Sequence, residues 1–208
     1  MSPYIRRFEP ADREAVVDVC IRTAWHGEDA RGQVATPELY AEIWALPYLE
    51  LAPELAFVLD GGSRDSSGAD GEGRVLGYVL GAADTAAFRS AAERDWFPQA
   101  RARHPRSSIE DPSDSWLLDI LHGPAETVPD WLAPFPAHLH VDLLPAAQGG
   151  GWGRRLLETL FDELRSRGVP GVHLGASDRN ERAISFYEHL GMQRVATLPG
   201  VVYLAREL

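Results

Sequence analysis

One stretch in the second half of the chain reads His140-Val-Asp-Leu-Leu-Pro-Ala-Ala-Gln-Gly-Gly-Gly-Trp-Gly-Arg-Arg-Leu-Leu157. Its first residues alternate between polar and apolar side chains, which predicts a β-strand that ends at Pro145. Four glycines follow at positions 149, 150, 151 and 153, and an amphipathic helix is predicted over 151–167. The order of strand, glycine-rich loop and helix favours a layered α/β architecture.

The glycine-rich loop is predicted to hold an anion. Glycines let the backbone approach a ligand, because no β-carbon stands in the way. The unpaired N–H groups and the dipole at the start of a helix favour negative charge. Arg154 and Arg155 add local positive charge. The alternative is a helix entry that binds nothing.

Two common phosphate-binding loops do not fit this stretch. A Walker loop requires Lys, and the chain contains none. A dinucleotide-binding fingerprint that began at Gly149 or Gly151 would require glycine where Arg154 or Leu156 stands. Nucleoside triphosphate hydrolysis on the first motif and a Rossmann-type site are therefore excluded.

A second helix-forming stretch reads Asp178-Arg-Asn-Glu-Arg-Ala-Ile-Ser-Phe-Tyr-Glu-His-Leu-Gly-Met192. Asn180, or Asp178 together with Glu181, is predicted to cap a helix over 180–190. One apolar face of this helix carries Ala183, Ile184, Tyr187 and Leu190.

Together the two stretches resemble the signatures of the GNAT family, the Gcn5-related N-acetyltransferases. The pattern Gln148-x-x-Gly151-x-Gly153 is similar to the family's pyrophosphate-binding loop. The second stretch is similar to the family pattern Asn-x-x-Ala-x-x-Phe-Tyr-x-x-x-Gly-Phe, with Met192 in place of the last Phe. The resemblance implies a mixed, twisted sheet flanked by helices, with acetyl-CoA as co-substrate.

The resemblance also implies the cofactor-binding residues. Loop amides would hold the pyrophosphate of coenzyme A, and the preceding strand and Asn180 would bind the pantetheine arm. Tyr187 would protonate the departing thiolate, a role that suits a phenol within hydrogen-bond reach. The cofactor-binding residues implied are Val141, Leu143, Gln148, Gly149, Gly150, Gly151, Trp152, Gly153, Arg154, Asn180 and Tyr187. The structural alternatives are a plain cap for Asn180 and buried packing for Tyr187.

Amine acetylation also requires a neutral amine, so a base or a chain of water molecules is expected near the strand before the loop. Alternation places His138, His140 and Asp142 on one face of that strand. We therefore expect Tyr187, Asp142 and His140 to be the catalytic residues. The spacing of the two histidines and Asp142 also permits zinc, but no metal is expected because such histidines usually only line a polar face.

Two segments interrupt the predicted domain, which spans 1–208. A polar loop at 60–73 is predicted to be mobile, because it has no apolar residues to bury. The segment 83–136 is too long for a plain connection and is predicted to be an insertion, beginning with a helix over 85–96. It offers further base candidates and tryptophans that would wall an acceptor pocket or pack in the core: Glu110, Asp114, Asp119, His122, Trp96, Trp116 and Trp131.

Other strands are expected over 4–8, 55–59, 75–80, 137–144, 171–176, 193–198 and 201–205. Two further helices are expected near the start of the chain, one from residue 10 with Val16, Val19 and Cys20 on its apolar face, and one from Thr36 to Trp44.

The composition limits the function classes. The chain has 208 residues, a net charge of −11 and a pI near 5.0, which argues against nucleic-acid binding. Cys20 is the one cysteine, so neither an intrachain disulfide nor a cysteine-rich zinc site is possible. No apolar run is long enough to span a membrane, and a cytoplasmic protein, monomeric or homodimeric, is expected. All 20 basic residues are Arg, and Asn180 is the one Asn.

The sequence thus predicts an acetyltransferase that moves the acetyl group of acetyl-CoA to an amine, weakly favouring a cationic acceptor because the protein is acidic. The alternative is a non-catalytic module that binds acetyl-CoA or a protein. Residues 135–145 also resemble the acetyltransferase-like C-terminal domain of O-GlcNAcases and its bacterial relatives, in which binding need not imply catalysis.

Overall fold

A computed structural model describes residues 2–62, 75–108, 111–125 and 127–208. Residues 63–73 of the predicted mobile loop, and Glu110, lie outside the described residues. The described chain forms a mixed sheet of seven strands in the order β1-β2-β3-β4-β5-β7-β6. The strands are β1 (Tyr4–Arg7), β2 (Ala56–Asp60), β3 (Val75–Ala82), β4 (Ala137–Leu143), β5 (Gly171–Ser177), β6 (Gln193–Leu198) and β7 (Val201–Glu207).

Helices flank the sheet, which confirms the predicted fold class. They are α1 (Arg13–Ile21), α2 (Glu38–Trp44), α3 (Leu46–Leu51), α4 (Thr85–Ala91), α5 (Phe97–Arg103), α6 (Ser115–Leu121), α7 (Trp152–Ser166) and α8 (Glu181–His189). The predicted strands and the helices α1, α2, α7 and α8 are confirmed, with ends that differ by a few residues. No helix within the described residues has both the length and the apolar character that a membrane span requires.

The helix predicted over 85–96 is too short. A π-helical turn at Ala92–Trp96 joins α4 directly to α5, so the helical run continues to Arg103. Pro98 lies in the first turn of α5, and its ring would clash with the carbonyl of Arg94 in a regular α-helix. The wider π turn removes this conflict, and the helix continues where the sequence pattern suggested an end.

Two apolar clusters cover the two faces of the sheet. On one face α1, α2 and α3 pack with residues of the 83–136 insertion, among them Trp96, Ala100 and Leu117. On the other face α7 and α8 pack with the sheet through residues such as Leu160 and Ile184. The insertion therefore contributes side chains to one of these clusters.

The sheet opens between β4 and β5. These two strands form the one parallel pair among the described strands, and only Ala137–Val172 and His138–His173 are in register. Beyond that point β4 stays paired with β3 as far as Leu143, while β5 stays paired with β7. The two strands therefore diverge, and backbone groups at their C-terminal ends face a gap instead of each other.

Candidate active site

The glycine-rich loop closes one end of this gap. Gly149 and Gly151 have φ values of 80° and 77°, a left-handed conformation that favours glycine. A β-carbon on either residue would have nothing within 4 Å, so open space lies beside the loop. Gly151 directly precedes α7, whose first-turn N–H groups have no helical acceptor. The local geometry is that of an anion site.

A cavity of about 800 Å³ lies beside the loop, between β4 and the start of α8. That volume is in the range of small-molecule and cofactor sites. It brings together most of the predicted cofactor-binding residues, which come from β4, the loop and α8: Val141, Leu143, Gln148, Gly149, Gly151, Trp152, Gly153, Arg154, Asn180 and Tyr187. Gly150 lies in the loop but does not line the cavity.

The arginines that line the cavity are not the same set that the sequence predicted. Arg154 lines it and is paired with Glu158, its Nε lying 2.7 Å from Oε1. Arg155 does not line it, and its guanidinium carbon lies 4.7 Å from the ring centroid of Trp152. Of the two arginines in the predicted positive site, only Arg154 lines the cavity.

Two other arginines line the cavity, and the sequence reasoning missed them. Arg179 and Arg182 flank Asn180 at the start of α8, and within the described residues neither forms an ion pair. The signal was present in the second motif, which reads Asp178-Arg-Asn-Glu-Arg182. These two arginines line the cavity without an ion-pair partner among the described residues, unlike Arg154.

Asn180 caps α8, which is one of the two roles that the sequence suggested for this residue. Its Oδ1 accepts a hydrogen bond from the N–H of Ala183 at 3.0 Å. Asp178 takes no part in this cap and instead accepts from the N–H of Gly200. Since the cap uses only the side-chain oxygen, the amide N–H₂ of Asn180 is left facing the cavity and the loop at Gly27.

Tyr187 is buried in α8 and lines the cavity. Burial, helped by the nearby charge of Asp142, raises the pKa of the Tyr187 phenol above its ordinary value. The phenol therefore keeps its proton at neutral pH, which is the form that donates.

A second cavity of about 410 Å³ adjoins the first. Both are lined by Val141, Asp142, Asn180 and Tyr187, so the two cavities meet at these residues. His140 lines only the second cavity, whereas His138 lines neither.

Asp142 is held by a residue that the sequence reasoning missed. The hydroxyl of Tyr78 donates to Oδ2 of Asp142 at 2.5 Å and lies 3.4 Å from Nδ1 of His140. Tyr78 is fully buried, and this burial, with the Asp142 charge, raises the pKa of its phenol well above the ordinary value. Tyr78 thus remains a donor that orients the carboxylate.

His138 has a structural role on the same face of β4. It stacks against Tyr48 and Phe88 and bonds to the hydroxyl of Thr85 at 2.9 Å. Burial removes water from the imidazole of His138 and lowers its pKa to about 3, so the ring stays neutral.

Three of the base candidates that the insertion offered, Asp114, Asp119 and His122, do not line either cavity. Asp114 accepts backbone N–H groups of Ala35 and Thr36, while Asp119 pairs with Arg106 at the surface. His122 bonds to a backbone carbonyl, at His104. Each of these three side chains is engaged in contacts away from the cavities, so the structure gives no support to their role as the base.

The three tryptophans of the insertion take different positions. Trp96 is buried in the core and donates to the carbonyl of Glu42. Trp131 packs on Tyr203, away from both cavities. Trp116 lines the second cavity, as predicted for an acceptor pocket. Across the residues that the structure describes, no group of three His, Cys, Asp or Glu side chains has the arrangement of a metal site.

Two features of this structure are typical of transferases that use acyl-coenzyme A. One is the parallel strand pair β4–β5, which opens at one end, and the other is the anion-binding loop at the start of α7. The acetyltransferase (GNAT) family model matches residues 33–192, and the chain belongs to this family. The GNAT fold and the acetyltransferase class that the sequence predicted are thereby confirmed, with acetyl-CoA as the family's co-substrate.

Individual relatives agree with this assignment. A protein named SsHAT, known from its crystal structure, is 42% identical, with a TM-score of 0.89 over 100% of this chain and 98% of its own. The mycothiol acetyltransferase of Beutenbergia cavernae is 40% identical over 90 residues, which are 41% of this chain and 30% of that protein. The chain therefore spans about a third of that relative's length.

A more distant structure shares the fold alone. The PaiA N-acetyltransferase of Thermoplasma acidophilum, solved in complex with coenzyme A, is 13% identical, with a TM-score of 0.58 over 100% of both chains. The narrower resemblance of residues 135–145 to the O-GlcNAcase domain gains no specific support and stays a prediction.

Proposed function

We propose that this protein transfers the acetyl group of acetyl-CoA to an amine acceptor, in the cytoplasm. One observation carries the proposal: the anion-binding loop and the phenol of Tyr187 line one cavity, which meets a second cavity at Asp142. A coenzyme and an acceptor therefore have separate spaces with a shared boundary, as direct transfer requires.

The larger cavity suits the coenzyme. Its loop amides and the arginines at 154, 179 and 182 would bind the phosphates, since helix N-termini and guanidinium groups both favour them. The pantetheine arm would lie along β4, where backbone groups of Val141 lack a strand partner on the side that faces β5. The amide N–H₂ of Asn180 would donate to the same arm.

The residues that line both cavities, Asp142 and Tyr187 among them, would carry out the transfer reaction. The neutral amine attacks the thioester carbonyl carbon, a C–N bond forms, and the C–S bond breaks to release the coenzyme thiolate. The amine proton passes to Asp142, directly or through His140, and the thiolate takes a proton from Tyr187. Tyr78 positions the Asp142 carboxylate for its part in this exchange.

The test combines calorimetry with a thiol-release assay. We expect acetyl-CoA to bind and amines to accelerate release of coenzyme A, with release reduced in Tyr187→Phe while binding persists. Tight acetyl-CoA binding without transfer to any amine would instead identify the protein as a non-catalytic binding module. Absence of any coenzyme binding would contradict both functions.

A further inference from the structure

The second cavity has an aromatic wall. Tyr40 and Trp44 lie one turn apart on α2, and Trp116 reaches them from α6 in the insertion. The ring centroids lie 5.5 Å apart for Tyr40 and Trp44, 5.7 Å for Tyr40 and Trp116, and 6.2 Å for Trp44 and Trp116. These distances are those of rings in contact, so the three form one continuous surface.

The exposed part of this surface is Trp116. Its side chain is 41% exposed, whereas Tyr40 beneath it is 3% exposed. Because Trp116 also lines the cavity, its ring offers an aromatic face on which a ring of a ligand can pack. The wall continues into the cavity through smaller apolar side chains, including Leu139, Leu174 and Val201.

The second cavity lacks the arginines that line the first. Among its described lining residues, Asp142 is the one formally charged side chain, accompanied by His26 and His140. No arginine lines it, and the chain contains no lysine. A carboxylate or phosphate on the acceptor would lose water there without finding a cationic partner, which is unfavourable.

We propose that the acceptor is an arylalkyl primary amine: a flat aromatic body that stacks on Trp116 and Trp44 and a short alkyl chain that carries the amine to Asp142. The identification rests on the proposed function and adds the substrate class. The volume of about 410 Å³ fits a single small molecule. The protonated amine, a cation, is attracted to the acidic protein and to the aromatic faces on its way in.

The first arm of the test compares acceptors that differ by one group. Phenethylamine retains the ring, hexylamine lacks it, and phenylalanine adds a carboxylate to phenethylamine. With acetyl-CoA saturating, we expect kcat/KM for phenethylamine to exceed that of either comparison compound by about tenfold or more. A preference for hexylamine, for phenylalanine or for a lysine-containing peptide would overturn the proposal.

The second arm uses matched tryptophan variants. Trp116→Ala is expected to raise KM for phenethylamine about tenfold, with little change for hexylamine, and Trp116→Phe is expected to restore most of the loss. Trp131→Ala is the control, because Trp131 is similarly exposed but lies away from both cavities. Equal effects of the alanine variants at 116 and 131 would contradict the assignment.

These experiments distinguish a wrong acceptor class from a protein that does not transfer acetyl groups at all. Transfer to hexylamine as fast as to phenethylamine would leave the acetyltransferase in place and remove the aromatic acceptor. If no amine is acetylated, calorimetry of phenethylamine with the protein–coenzyme A complex decides the matter. Binding that weakens in Trp116→Ala but not in Trp131→Ala supports the site, and absence of binding rejects it.

Discussion

The two cavities that meet at Tyr187 differ in how the chain builds them. The larger one draws most of its walls from two short segments, 141–154 and 179–187, which carry both motifs. The smaller one collects side chains from α1, α2, α6, β4, β5, α8 and the turn before β7. Under the proposed function, the coenzyme site is thus encoded mainly in local segments, whereas the acceptor site is dispersed along the sequence.

A substitution of Asp142, which lines both cavities, is expected to have the largest effect on activity. Asp142→Asn removes the proton acceptor but keeps the shape, and we expect kcat/KM to fall about 100-fold at pH 7. The loss should shrink as pH rises, because a larger fraction of the amine is then neutral without help from the enzyme. A pH profile of kcat/KM measures this, and a loss that is the same at every pH would contradict the role of base.

Tyr78→Phe is the companion variant for this measurement. It removes the hydroxyl that holds the carboxylate while leaving the buried ring in place. A smaller loss, about tenfold, with a shifted pH profile is expected of a positioning residue. An unchanged profile would indicate that Tyr78 only packs.

Tyr187→Phe tests the coenzyme side of the boundary. We expect kcat to fall about thirtyfold, less than for a typical general acid, because a thiol of pKa about 8.5 is already a good leaving group. Calorimetry should show acetyl-CoA affinity within about twofold of the wild type, since the ring remains. A large loss of affinity with unchanged kcat would reassign Tyr187 to binding.

Arg182 tests whether the larger cavity is the phosphate site. Arg182→Ala should weaken acetyl-CoA about tenfold, with a loss that shrinks at high salt, since a charge-assisted contact disappears. Arg154→Ala should have a smaller effect because Arg154 is shared with Glu158. Arg155→Ala is the control, as Arg155 stacks outside the cavity. Equal effects of the 182 and 155 variants would contradict this site.

Asn180 gives the smallest expected effect and separates its two roles. Asn180→Ala should lower the free energy of unfolding by about 1 kcal/mol, whereas Asn180→Ser should retain most of the cap. Both variants lack the amide N–H₂, so both should weaken acetyl-CoA about fivefold. Denaturant titration and calorimetry measure the two quantities. Full coenzyme affinity in the serine variant would reduce Asn180 to a cap.

The sequence found most of the residues that line the larger cavity because their signals are local. A left-handed glycine, a helix start and an Asn cap each depend on residues only a few positions apart, as at Gly151 and Asn180. The arginines at 179 and 182 were missed although they lie inside the second motif, since only the packing of α8 shows that they face the cavity.

The residues of the smaller cavity could not be predicted from the sequence, for a different reason. Tyr78 reads as an ordinary residue of an apolar strand, and its partner Asp142 is 64 residues away. Trp96, Trp116 and Trp131 are equivalent in the sequence pattern, yet one is in the core, one is in the cavity and one is on another surface.

The amino-acid sequence by itself therefore determined the family, the order of strands and helices, and the glycine-rich loop beside the larger cavity. These follow from backbone periodicity, glycine conformations and helix caps, whose energies arise within a few residues. Only the tertiary structure decided which carboxylate is oriented, which arginines line the larger cavity and which tryptophan lines the smaller one. Those outcomes depend on contacts between distant segments, where burial and pairing are set by the packing of the whole chain.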